Sequence, residues 1–206
     1  MKGDVGRNRP TRAYRMTRRR DRIDTTRERI VQAALDLHGA VGPAYTTISA
    51  VAERAGVERH TVYRHFPDLV TLFQACTEHG MRTSSLPSPD DWQDTTDPID
   101  RLRAALTAMY DYWRRNERLI GNILRDMPVS PELVSGSQAY QDHLSLIWGS
   151  VLASWPDNDP ASMSSRALAA TALEFGTWQA LTQRYGLTDQ AAVAAMASAV
   201  QTAAST

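Results

Sequence analysis

The chain has 206 residues, 42% of them hydrophobic and 22% charged, which allows one large domain or two small ones around a real core. No apolar run approaches the ~18 residues of a membrane span, and the charged N-terminus lacks the apolar stretch of a signal peptide. The single cysteine, Cys76, excludes an internal disulfide framework and suits a reducing, cytoplasmic setting. A formal net charge of zero conceals a polarised chain: residues 1–82 carry 15 Lys and Arg against 9 Asp and Glu, and the remainder carries 8 against 14. Either the first half meets a polyanion or an ordinary domain carries a solvated basic tail; charge alone fits both.

Residues 1–22 are arginine-rich and without periodicity, which predicts a disordered arm able to add phosphate contacts or enter a minor groove. Met16, opening "MTRRRD", is a second candidate start. From Thr25 the pattern turns helical, with Ile30, Ala33, Ala34, Leu37, His38 and Val41 on one face and Gly39 and Gly42-Pro43 ending it. A short helix follows from Thr46 or Thr47, with Ile48, Val51, Ala52 and Ala55 inward and Gly56 as its stop. The next helix lies in "GVERHTVYRHF", and a fourth starts at Asp68. Residues 83–98 read as a loop. Helices are expected over roughly 99–118, 119–126, 132–154, 161–185 and 189–204. With no alternating strand pattern of useful length, the predicted class is all-α.

Two short helices joined by a glycine turn and packed on a longer one make a helix-turn-helix, whose second helix enters the major groove. Such a helix buries one thin edge, here Val57, Val62 and Phe66, and presents the rest. Arg59 and Tyr63, His60 and Arg64, and Thr61 and His65 are each four apart and form rows on the exposed faces. Arginine can bond guanine in bidentate fashion, and Tyr or Thr hydroxyls can bond phosphates. The N–H groups that follow Thr46 and Thr47 can hold a phosphate. Arg27 on the first helix completes the candidate DNA-contacting set.

The stretch "TTRERIVQAALDLHGAVG…TTISAVAERAGVERHTVYRHFPDLVTLF" resembles the DNA-binding domain of the TetR family of bacterial regulators, most specifically in "AERAGV…TVYRHF". "EFGTWQALTQRYGLTDQAAVAAMASAV" is similar to the last two helices of many such proteins. The resemblance implies an all-α homodimer, an N-terminal three-helix DNA-binding domain, and a variable C-terminal domain for a small molecule and for dimerisation. The expected division is an arm over 1–22, the helix-turn-helix domain over 23–68, and a ligand-binding and dimerisation domain over 69–206. Three positions depart from the family pattern. Glu58 stands where serine is common, Leu69 where lysine is common, and His38 where phenylalanine is usual. His38 is expected to be a partly buried histidine with a satisfied hydrogen bond.

All five tryptophans lie beyond residue 82. Met109, Tyr110 and Trp113 share one helical neighbourhood, Tyr140, His143, Ile147 and Trp148 a second, and Phe175 and Trp178 a third. These nine either line an aromatic ligand pocket or fill a core. Val193, Met196, Ala197 and Val200 on the last helix suit packing against a partner chain or an internal core. The histidines form no metal-ligand spacing, no nucleophile sits in a recognisable frame, and no glycine-rich phosphate loop occurs, so neither enzyme chemistry nor a cofactor is expected. The functional expectation is a ligand-released repressor on a palindromic DNA operator. The alternative is a helical small-molecule-binding protein or enzyme that merely carries a helix-turn-helix.

Overall fold

The computed structural model describes residues 12–155 and 160–205, with side chains from residue 23 onward. It is all-α, with no strand among the described residues. Helix α1 (Arg12–Ala40) begins well before Thr25. From Arg12 to Leu37 the sequence has neither glycine nor proline, and arginine is a good helix former, so the segment is helical without being amphipathic. Over residues 12–22 the expected disordered arm is therefore helix; residues 1–11 lie outside the described residues.

A 3-10 turn (Pro43–Tyr45) leads into α2 (Ile48–Ala55), where the Thr47 hydroxyl accepts from the Ala50 N–H at 3.1 Å and caps the first turn. Gly56 closes α2 in the left-handed conformation (φ 64°, ψ 42°), which a side chain would disfavour. Then come α3 (Arg59–His65) and α4 (Leu69–Thr83), the latter capped by Asp68. Ile30, Val31, Ala34, Val51, Val62 and Phe66 form one apolar cluster, and Leu72, Ala75 and Cys76 of α4 complete it. The core of the N-terminal unit thus extends past residue 68 into α4.

The C-terminal part is built on α5 (Pro98–Asp126), two helical stretches joined across a kink at Asn116 (φ −117°, ψ 15°), close to the boundary expected between helices over 99–118 and 119–126. The expected helix over 132–154 is instead α6 (Pro131–Gly136) and α7 (Gln138–Leu152). At the break the Ser137 hydroxyl donates to the Leu133 carbonyl at 2.8 Å, the local competition with helix that serine offers. The expected helix over 161–185 divides likewise into α8 (Pro160–Ala172) and α9 (Phe175–Gln179), which continues as a π-helical turn through Arg184. The last helix, α10 (Asp189–Ala203), is capped by Thr188. Its Ala192, Val193 and Val200 are buried with α5 and α8 residues in the second apolar cluster, so the apolar face of α10 serves the chain's own core.

The candidate DNA-contacting face and an interhelical cavity

On α3 only Val62 is fully buried; it and the following Phe66 seat the helix. Arg59, His60, Tyr63 and Arg64 are exposed, and Thr61 and His65 are half-buried. The Arg59 guanidinium donates to the Tyr63 hydroxyl at 3.1 Å and lies 5.5 Å from its ring centre, so the two side chains stand as one preformed unit. His60 Nε2 lies 3.5 Å from the Thr61 hydroxyl. Arg27 reaches across from α1 and sits 5.0 Å from the Phe66 ring, at the end of α3. Burial and the cations of Arg64 and Arg27 push the His65 pKa down. Thr47 is exposed at the head of α2, whereas the Thr46 hydroxyl turns back to the Gly42 carbonyl at 2.8 Å. All nine candidate DNA residues therefore lie on α1, on α3 or in the residues leading into α2.

Two arginines that sequence reading passed over fix this unit. Arg29 of α1 donates to the Ala55 carbonyl and, at 3.3 Å, to that of Gly56, which holds the turn between α2 and α3. Arg54 makes a two-pronged ion pair with Asp36, at 3.0 and 3.1 Å, tying α2 to α1. No local pattern marks either residue.

A polar latch joins this unit to the end of α5. Asn122 donates to the carbonyls of His38 (2.9 Å) and Gly39 (3.1 Å), and Arg125 to that of Val41 (3.0 Å). Buried Asp126 accepts from the Ala44 N–H at 3.0 Å and from Arg125 at 2.7 Å. The Arg125 guanidinium, foremost, holds the Asp126 carboxyl below the usual range. Gly42 (φ 101°) lets the chain turn here, and a Cβ at that position would run into the Arg125 and Asp126 side chains. Gly42→Ala is thus expected to destabilise the fold by about 1–3 kcal/mol. Urea denaturation checks this; a midpoint equal to wild type would refute it.

The nine ligand candidates do not come together as a pocket. Met109, Tyr110, Trp113, Phe175 and Trp178 form a filled core, with Trp113 centred 5.5 Å from Tyr110, 5.8 Å from Phe175 and 6.1 Å from Trp178. Their polar ends are occupied: Tyr110 donates to the Ala172 carbonyl at 2.9 Å, and Trp178 to Asp189 at 2.9 Å. Asp189 is also paired with Arg114 at 2.7 Å. Ile147 is buried, and the His143 ring lies 2.7 Å from the Pro87 carbonyl, pinning the loop before α5.

Tyr140 and Trp148 line a cavity of about 330 Å³ between the two parts of the chain, and Phe175 edges a separate, more open cleft beside Arg118 and Gln179. Leu35 and His38 of α1, Phe73 of α4, and Ile120 and Ile123 of α5 form the other walls of the cavity. The signal for the α5 wall lay in "LIGNIL", apolar on more than one helical face. His38 is buried with its pKa lowered to about 4 by burial, against an upward pull from Asp126. The ring packs on Phe73 at 5.4 Å between centroids, and the main-chain carbonyl of His38 accepts from Asn122 at 2.9 Å.

Residues 30–76 match the family model of bacterial regulatory proteins, tetR family. The HTH-type transcriptional regulator TtgR of Pseudomonas putida is 30% identical over 95 residues, 46% of this chain and 45% of that protein. The chain thus aligns with somewhat less than half the length of that relative. Among solved structures, NalD, the secondary repressor of the MexAB-OprM multidrug efflux pump in Pseudomonas aeruginosa, has 19% identity. It superposes with a TM-score of 0.59 over 89% of this chain and 97% of its own. HlyIIR, a hemolysin II transcriptional regulator, gives 0.60 at 15% identity over 86% and 97%. At these identities the likeness is one of fold.

Proposed function

We propose that the chain, whose residues 30–76 match the family model of bacterial regulatory proteins, tetR family, is a member of that family and a sequence-specific DNA-binding transcriptional regulator. In this reading it is a repressor that holds a palindromic operator as a homodimer and is released by a small-molecule ligand. The observation that carries the reading is α3, a helix seated by Val62 and Phe66 that presents Arg59, His60, Tyr63 and Arg64 to solvent. With Thr61, His65, Thr46, Thr47 and Arg27 these are the residues proposed to meet DNA. Arg59 and Tyr63 read base edges and phosphate together, and the first turn of α2 holds a backbone phosphate. The outer faces of α8 and α10, with exposed Met163, Ala167, Ala194 and Ala195, support a dimer, since small residues let helices approach closely. Two α3 helices one duplex turn apart, ~34 Å, then read a palindrome.

The cavity touches α1 and α4 as well as α5 and α7, so a molecule within it contacts the DNA-binding unit directly. Release requires only that it bind more tightly to an arrangement of α1 and α4 unsuited to operator spacing. Among the described residues no helix is long and apolar enough to cross a membrane.

Arg59→Ala is expected to weaken specific DNA binding by about 1–3 kcal/mol. Tyr63→Phe breaks the same unit, so the double variant should lose less than the sum of the two by at least ~0.5 kcal/mol. Fluorescence anisotropy on a selected duplex at fixed salt measures both. Wild-type affinity in Arg59→Ala would take α3 out of the groove.

A further inference from the structure

The lining of the cavity between α1, α4, α5, α6 and α7 contains no lysine, arginine, aspartate or glutamate. Its four titratable groups are held neutral near pH 7. Burial keeps His38 unprotonated, pushes the Cys76 thiol up to about 12, and raises the phenols of Tyr112 and Tyr140. Asp126, the carboxylate that acts on His38, is paired with Arg125 in the latch, and both lie outside the lining. An ion entering this space leaves water for surroundings without a counter-charge, which is strongly unfavourable.

The polar groups of the walls are not equivalent. Ser137 donates to the Leu133 carbonyl, Ser145 to that of Gln141 at 2.9 Å, and Gln141 to the Ser137 hydroxyl at 3.0 Å. Trp148 differs. Its indole N–H is buried with no hydrogen-bond partner among the described residues, whereas Trp178 and Trp92 both place theirs, Trp92 on Ser150 at 3.0 Å. An indole N–H is donor-only, so what completes it is an acceptor.

We infer that this cavity takes a neutral, largely apolar molecule bearing a hydrogen-bond acceptor, such as a carbonyl or ether oxygen, which Trp148 Nε1 engages. The inference rests on the reading of this chain as ligand-responsive and adds the class of ligand. Shape and burial hold the apolar body, and Trp148 selects the acceptor.

Equilibrium dialysis of the full chain at pH 7.5 against three probes of one size separates these features: 2-acetylnaphthalene, 2-ethylnaphthalene and the anion 2-naphthoate. The ketone is expected to bind about tenfold or more tightly than the carboxylate. In Trp148→Phe the affinity of the ketone relative to the ethyl compound should fall about 3-fold to 10-fold, the share of one hydrogen bond. Circular dichroism establishes that the variant is folded, and the comparison of ketone with carboxylate needs no variant. Equal or tighter binding of naphthoate overturns the inference, as does an unchanged ratio in Trp148→Phe. Failure of all three probes to bind also overturns it. In that case DNA binding that depends on Arg59 would still uphold the regulator reading, and its loss would remove both.

Discussion

Truncating Trp113 to alanine is expected to lower the stability of the fold by about 3–5 kcal/mol, against roughly 5–15 kcal/mol for a whole domain. Trp113 is 2% exposed and packs against Tyr110, Phe175 and Trp178, a cluster that brings α5 and α9 together. The loss combines the transfer free energy of the indole with the void left among side chains that have no room to close over it. Trp113→Phe should cost less, since the ring contacts partly persist. Urea denaturation followed by far-ultraviolet circular dichroism reads both without relying on the removed chromophore. A loss below about 1 kcal/mol would mean that Trp113 stands at an open, adaptable site, as a ligand contact would, and not in a filled core.

The second large effect is one of pH. His38 has a pKa of about 4 in the fold because burial penalises its charged form, and 6.5 as an ordinary histidine. Between these values the unfolded chain binds the proton and the folded chain does not. Stability therefore rises with pH: the contribution is complete above 6.5 and is lost as pH falls towards 4. Its full size is on the order of 3 kcal/mol. The neighbouring groups do not reverse this. Asp126, held below its ordinary 3.8 by Arg125, contributes stability above that value and loses it only at lower pH, and Cys76 remains a thiol throughout. Wild-type protein should be less stable by about 2 kcal/mol at pH 4.5 than at pH 7.5 through His38 alone. His38→Phe, which keeps an aromatic ring against Phe73, should show correspondingly less of the drop. Equal pH dependence in the two proteins would assign the acid sensitivity to other groups.

The helix-turn-helix was legible because its signals are local. The Thr47 cap, the left-handed Gly56 and the narrow edge of Val62 and Phe66 each follow from a few adjacent residues. The early start of α1 was hidden because apolar periodicity reports amphipathic helix, and this segment is helix held by propensity. The nine ligand candidates divide between core and cavity for a different reason. Helical spacing tells which side chains point inward, but not whether the space they enter is full. Trp113 and Trp178 point inward into a filled core, whereas Leu35 and Phe73, which carry no signal of a site in sequence, meet Ile123 of the doubly apolar "LIGNIL" around the cavity. The latch from Asn122, Arg125 and Asp126 to residues 38–44 joins positions more than eighty apart, and no local pattern encodes it.

The most direct measurement is selection of bound sequences from random duplex DNA by the purified protein, run in parallel with Arg59→Ala. A palindromic consensus with half-sites one duplex turn apart is expected for the wild type, together with its loss or relaxation at the base Arg59 contacts in the variant. No enrichment above nonspecific binding by the wild type, or the same consensus from both proteins, would contradict a dimeric regulator that reads DNA through α3.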